Sequence, residues 1–188
     1  LTHLEDVELD LTVAADKAFR MPVQWVNRPN LDFRGFSGQI ASGRVAPGDS
    51  VRVQPSGKTS KIARIVTQGG DLDEAVAGQS VTLTLEDEID CSRGDVIVVS
   101  DAPPMVADQF ESTLVWMEET TLLPGRSYIL QIGAQSVNAS VQALKYQVDI
   151  NSVEHLAATK LELNDIGVVE ISTDRPIVFE PYAENREM

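Results

Sequence analysis

The hydrophobic residues of this chain come in short runs that alternate with polar ones, and this pattern restricts the fold more than any other feature of the sequence. Val51-Arg52-Val53-Gln54 and Val81-Thr82-Leu83-Thr84-Leu85 each place apolar side chains on one face and polar ones on the other. That period of two is the signature of a strand with one face on a core and one in water. Val, Ile and Thr recur, and Gly, Pro, Asp and Ser punctuate the runs, which is the composition of strands joined by tight turns. The expected strands are Phe19–Val26, Phe36–Ala41, Ser50–Gln54, Lys61–Thr67, Ser80–Leu85 and Val96–Val99. A second set is expected at Met105–Met117, Ser127–Ile132, Gln135–Ile150, Thr159–Leu163 and Ile166–Ser172. The fold class is all-β.

The chain of 188 residues, 43% hydrophobic, has material for one large domain or two small ones. Asp101-Ala102-Pro103-Pro104 marks a boundary, because two prolines cannot continue a ladder and stiffen a short connector. The expected organisation is a lead-in over 1–15, with Val7–Ala15 extended or turn-like, a β-barrel over 16–102, and a second β-barrel over 105–188. Closure into barrels removes exposed sheet edges. The run Pro176-Ile177-Val178-Phe179 leads into polar Glu184-Asn185-Arg186-Glu187-Met188, so the second barrel is expected to lack a closing strand. The chain also opens on Leu1 without an initiator Met, as expected of a fragment or of a processed chain.

Charge narrows the partners. The net charge is −14, which disfavours nucleic-acid binding through bulk charge. The sign is uneven: Arg20 to Arg64 carries eight bases against two acids, a local +6, and Asp71 to Asp101 carries nine acids against Arg93, a local −8. The plain reading of both stretches is solvated strand faces. No apolar run approaches the ~18 residues of a membrane span, and no secretory leader pattern opens the sequence. The expected compartment is the cytoplasm.

Chemistry-bearing motifs are sparse. Ser56-Gly57-Lys58-Thr59 ends like a phosphate-binding loop, but Arg52 stands where the motif needs its first glycine. A strand-like run follows it where a helix N-terminus should begin, so it reads as a hairpin turn. His3 and His155 lack partners at metal-ligand spacing. Cys91 sits among Asp90, Ser92 and Asp95, a setting that opposes a thiolate. Glu86-Asp87-Glu88 and Glu118-Glu119 read as exposed loop charges. No catalytic, cofactor-binding or metal-ligating residue is assigned.

The glycines carry more information. Gly35, Gly38, Gly43 and Gly48-Asp49 punctuate the stretch Arg34 to Val51, and Gly94-Asp95 repeats the same pair before Val96. Gly43 and Gly48 suit positive φ at turns, and Gly38 suits close backbone approach at a barrel corner. Arg34 and Arg44 flank this hairpin and are candidate contacts to another domain. Trp116, Arg126 and Tyr128 are candidate partner contacts, since aromatics and Arg dominate interface energetics. For Trp116 the plainer expectation is core packing.

This glycine spacing resembles the second domain of elongation factor Tu-like GTPases. The runs Phe19-Arg20-Met21-Pro22-Val23-Gln24-Trp25-Val26-Asn27-Arg28-Pro29 and Asp32-Phe33-Arg34-Gly35-Phe36-Ser37-Gly38 are similar to the large, GTP-binding subunit of bacterial sulfate adenylyltransferase. Phe179-Glu180-Pro181-Tyr182-Ala183-Glu184-Asn185-Arg186 is similar to the third domain of the same family.

The resemblance implies two translation-factor-type β-barrels that follow a GTPase domain and pair with a small catalytic subunit. That subunit makes adenylyl sulfate from ATP and sulfate in sulfate assimilation, driven by GTP hydrolysis. In some family members an adenylyl-sulfate kinase is fused downstream. No phosphate loop, switch motif or guanine-reading motif occurs here, so GTP and Mg are implied for the absent GTPase domain and none for this segment. The implied partners are the small subunit and the chain's own GTPase domain. The competing reading is a translation-factor barrel pair that holds aminoacyl-tRNA.

Overall fold

The computed structural model describes residues 14–30, 32–185 and 188. The named elements are all strands, and they fall into two units. The first runs through Met105 and adds Ile132–Gln135 and Val178–Met188; the second comprises Val106–Gln131 and Ser136–Ile177.

The first unit contains β1 (Arg20–Pro22), β2 (Trp25–Asn30), β3 (Phe33–Gln39), β4 (Arg44–Val45), β5 (Ser50–Gln54), β6 (Lys58–Thr67), β7 (Gly70–Leu72), β8 (Ala75–Val76), β9 (Ser80–Leu85) and β10 (Val96–Val99). Its main sheet runs β1-β10-β5-β6-β9-β3-β2, with β7 on β6, and β4 pairs with β8 apart from it. The sheet closes on itself beside the end of β3: Arg20 bridges Ser42, and the Ala41 amide donates to the Arg20 carbonyl at 2.9 Å. The alternation in the sequence is what fills this barrel. Val51, Val53, Val81 and Leu83 point in and pack with Met21, Phe36, Ile40, Ile62 and Ile65, a single apolar cluster of the kind that dominates domain stability.

Four strands are launched by one repeated turn. The Asp49 carboxylate accepts from the Ala46 amide (2.8 Å), Asp95 from Ser92 (2.7 Å) and Asp165 from Glu162 (2.7 Å), while the Gln79 side chain accepts from Val76 (2.9 Å). In each case the backbone N–H of the later residue donates back to the carbonyl of the earlier one. The residue before the acceptor takes positive φ: Gly48 (91°), Gly94 (96°), Gly78 (88°) and Asn164 (69°). Asn fits the last position because a short polar side chain tolerates the left-handed region.

The second unit contains β11 (Met105–Val115), β12 (Ser127–Ile132), β13 (Gln135–Val148), β14 (His155–Leu156) and β15 (Ile166–Phe179). Its order is β11-β15-β13-β12, with β14 on β13. Among the described residues this is an open path that ends at β11 and β12. Two register shifts in β13, between Val141 and Ala143 and between Leu144 and Tyr146, bend the sheet. Leu122, Val141, Leu161, Val169 and Ile171 form its core.

The structure corrects several sequence expectations. Phe19–Val26 is two strands with different partners, β1 on β10 and β2 on β3. They part after Val23: Val23 still bonds to Asp95 and Gly94 beside β10, and from Gln24 onward the backbone bonds to β3 instead, beginning at Ser37. Thr159–Leu163 is no strand; Leu161 makes one isolated bridge to Leu122, and β13 pairs instead with His155–Leu156. Pro176–Phe179 is the continuation of β15, which does not stop at Ser172. The tail from Val178 to Met188 belongs to the first unit, not the second, because Val178 and Met188 pack with Val96 and Val98. Of the expected lead-in, residues 1–13 lie outside the described residues.

Candidate functional site

Close backbone approach explains two of the singled-out glycines. A Cβ on Gly38 would lie 2.3 Å from the Pro22 carbonyl oxygen, and one on Gly43, at φ 76°, would lie 2.5 Å from the backbone N and Cα of Phe19. Both sit where the end of β3 crosses β1, so they permit the closure of the barrel. Gly35 is pressed by Thr82 and by the Phe33 ring, which a Cβ would meet at 2.4 and 2.7 Å.

The two candidate arginines of the hairpin stand apart. Arg34, in β3, lays its guanidinium 5.3 Å from the centre of the Phe36 ring, a cation–π arrangement. Its Nε is buried without a hydrogen-bond partner among the described residues. It lines a cavity of about 240 Å³ with Asp32, Phe33, Arg64, Thr84 and Glu88. Arg44, in β4, is exposed and pairs with Asp16 at 3.3 Å. Lys58 at the Ser56-Gly57 turn pairs with Asp90 at 3.1 Å, and the turn joins β5 to β6 as a hairpin. The stretch is therefore a hairpin turn and offers no helix N-terminus to a phosphate.

In the second unit Trp116 and Tyr128 meet edge-to-face at 5.6 Å and both pack on the core. The Trp116 indole N–H donates to the Thr120 carbonyl at 2.8 Å. Arg126 is exposed at the turn before β12. The structure thus joins two of the three candidates as a half-buried pair and leaves the third in solvent.

One polar cluster was not singled out from sequence. Arg20 is 4% exposed, and its Nη2 lies 2.8 Å from the Glu180 carboxylate. It also donates to the carbonyls of Phe19 (2.9 Å) and Ala102 (2.7 Å). The Asn185 amide donates to the other Glu180 oxygen at 3.0 Å, and Lys17 donates to the Glu184 carbonyl. A buried charge of this kind needs both its ion partner and its hydrogen bonds. In the sequence Arg20 stands as one charge between the apolar Phe19 and Met21, which marks an unusual position but does not name its partner.

Among the described residues no group of three or more metal-ligating side chains converges. Burial pushes the Cys91 thiol up to about 12, with the Asp95 charge adding to the effect, so it stays a protonated core side chain. No helix of the described residues is long and apolar enough to cross a membrane.

Residues 36–98 match the family description elongation factor Tu domain 2, and residues 109–188 match GTP-eEF1A C-terminal domain-like. Over 187 residues, all of this chain, it is 54% identical to sulfate adenylyltransferase subunit 1 of Methylorubrum extorquens (strain PA1). The chain is homologous to sulfate adenylyltransferase subunit 1. Within that homology it is 53% identical to the bifunctional enzyme NodQ of Rhizobium sp. (strain N33) and 51% identical to the bifunctional enzyme CysN/CysC of Xylella fastidiosa, each over 99% of the chain. It spans 40% of the length of subunit 1 and 29% of each bifunctional relative. Crystal structures of Sup35 share the fold: the complex with GMPPNP has a TM-score of 0.84 at 17% identity, over 99% of this chain and 46% of that one. The complex with GDP has a TM-score of 0.87 at 18% identity, over 100% and 47%.

Proposed function

We propose that this chain is the barrel portion of the GTP-binding subunit of a cytoplasmic sulfate adenylyltransferase, and that it couples GTP hydrolysis to formation of adenylyl sulfate from ATP and sulfate. The observation that carries this reading is 54% identity to subunit 1 along the full chain. In it the bond-making groups, GTP and Mg belong to other parts of the assembly, and the barrels relay and dock.

The physical character of the first unit suits a relay. Its sheet closes through close-packed glycines at one seam, and its tail is anchored by the buried Arg20–Glu180 pair. A body held this way moves as a whole when a neighbouring switch changes state.

The test is binding by the full-length polypeptide. It is expected to bind the second subunit of the enzyme, and not aminoacyl-tRNA, at physiological salt. Aminoacyl-tRNA binding that weakens steeply with salt, with no binding of the second subunit, would replace this reading with the translation-factor one.

A further inference from the structure

One end of the second unit gathers apolar side chains that its core does not use. At the last pairs of β13, Val148 stands opposite His155 of β14 on one side and Ile166 of β15 on the other. The end of β11 joins this row: the Trp116 amide donates to the Asp165 carbonyl at 2.8 Å, and the Asn164 amide to the Trp116 carbonyl at 2.7 Å. Neighbouring strands lie about 4.8 Å apart, so the four ends fall within about 15 Å of one another. The stretches 117–123 and 149–165 leave the row here, tied to each other by the Leu122–Leu161 bridge. They carry Met117, Ile150, Val153 and Leu163 in solvent, Met117 by 78% and Val153 by 72%. Single exposed apolar residues are ordinary, but several converging on one end of a sheet mark a surface that meets another molecule.

The hairpin that presents Ile150 and Val153 is tied down. Asp149 Oδ1 accepts from the Asn151 and Ser152 amides at 2.8 and 2.9 Å and from the Ser152 hydroxyl at 3.2 Å. The Val153 amide donates to the Asp149 carbonyl at 2.8 Å, and the Asp149 amide to the Glu154 carbonyl at 3.0 Å. These bonds hold Val153 at φ 60°, where every other described residue of positive φ is Gly or Asn. A strained β-branched residue that stands in water does nothing for the fold. On a loop that is already rigid, it presents a preorganised contact.

Charge selects the occupant. The two stretches carry Glu118, Glu119, Asp149, Glu154, Glu162 and Asp165 against one cation, Lys160, which Glu162 pairs at 2.7 Å. His155 is stacked on the Tyr146 ring, centroids 3.9 Å apart. The nearest other bases are spoken for or distant. Lys145 is held between Glu111 and Glu170, and Arg126 follows Gly125, whose amide bonds to Val141, well down β13 from Val148. Asp149 and Asp165 hold their own turns. Glu118, Glu119 and Glu154 are exposed and have no ion partner among the described residues. Such a surface repels nucleic acid, anionic lipid and a second copy of a chain of −14. It fits a protein surface that bears Lys and Arg.

We infer that this end of the second unit is a docking face for a basic surface of the enzyme's second subunit, with Met117 and Val153 as apolar contacts and Glu118, Glu119 and Glu154 as charge partners. The inference rests on the proposed role of the chain in a two-subunit enzyme and names where that role is exercised. Cations of the partner set against the glutamates govern on-rate and register, and the apolar side chains buried between them slow release.

The experiment measures the affinity of the full-length polypeptide for the purified second subunit as salt is raised. The variants are Val153→Gly, Met117→Ala, the double change Glu118→Lys with Glu154→Lys, and Ile129→Ala as a control. Ile129 is exposed on β12, whose entry turn lies at Val141, away from this end. Val153→Gly relieves strain and is expected to raise the melting temperature, so weakened binding by it cannot come from a damaged fold. Val153→Gly and Met117→Ala are each expected to weaken binding several-fold. The double lysine variant is expected to weaken it about tenfold or more and to flatten its salt dependence. Ile129→Ala is expected to bind as wild type does.

Wild-type binding with the first three variants unchanged overturns the inference and leaves the proposed function standing, as does an equal loss in Ile129→Ala. Wild-type binding that salt does not weaken removes the basic partner surface and also overturns the inference. Dimerisation of the wild type that Val153→Gly abolishes, with second-subunit affinity unchanged, gives the face to a second copy and overturns it too. Failure of the wild type to bind overturns the proposed function and this inference with it.

Discussion

Arg20 and Glu180 are 160 positions apart in sequence, yet the Arg20 Nε donates to the Glu180 carboxylate at 2.9 Å inside the first unit. The two lie in the two segments by which the chain resembles its family, so the pair joins the beginning and the end of that resemblance. Replacing Glu180 by Ala leaves a buried guanidinium with only carbonyl partners. Breaking one side of such a pair is expected to destabilise by about 3 kcal/mol. Chemical denaturation followed by circular dichroism checks this; a loss under about 0.5 kcal/mol, the size of an ordinary surface change, would show that the tail is not anchored there.

Gly43 and Gly48 both take positive φ, but only Gly43 faces backbone where a side chain would stand. Gly48→Ala is expected to destabilise by about 1 kcal/mol, the ordinary penalty of the left-handed region. Gly43→Ala is expected to exceed about 2 kcal/mol, since the Phe19 backbone cannot retreat as a flexible side chain would. Thermal melting of the pair tests the difference, and equal effects would mean that β1 does not hold its place against Gly43.

Val153 has φ 60° and is 72% exposed, a conformation that a β-branched residue rarely adopts. Val153→Gly relieves that strain and is expected to stabilise the second unit by about 0.5–1 kcal/mol. A lowered melting temperature would contradict it.

Cys91 is predicted to resist thiol reagents in the native protein at pH 8 and to react at once after unfolding, because its thiol is buried and held up to about 12. A group raised in the folded state stabilises fully below its ordinary pKa, near 8.5, and that contribution is lost as pH rises toward about 12. Lys145, raised by its hydrogen bonds to Glu111 and Glu170, acts in the same direction. Stability should therefore fall on the alkaline side. Rapid native labelling at pH 8 would place the thiol at the surface.

Most of the fold was legible because alternation is a local property. Ser50–Gln54, Ser80–Leu85 and Val96–Val99 have the same bounds in sequence and structure. The Gly-Asp turns were readable for the same reason, although their third copy, at Asn164-Asp165, was missed because Asn replaces the glycine. What escaped depends on distant partners. The break after Val23 is set by which strand each half meets, and the two-residue strands β4 and β8 exist only because they find each other. Arg20 in the core needed knowledge of Glu180, which no local pattern contains. Exposure of Trp25 escaped for the converse reason, since an alternating strand gives no sign of which end of a sheet it will occupy.

These barrels are proposed to belong to a GTP-driven sulfate adenylyltransferase. The most direct measurement is adenylyl sulfate formed from ATP and sulfate by the full-length polypeptide mixed with the second subunit, with and without GTP. GTP is predicted to raise the yield, with GTP consumed in proportion to product and neither subunit sufficient alone. A yield that does not depend on GTP, or on this polypeptide, would contradict the account.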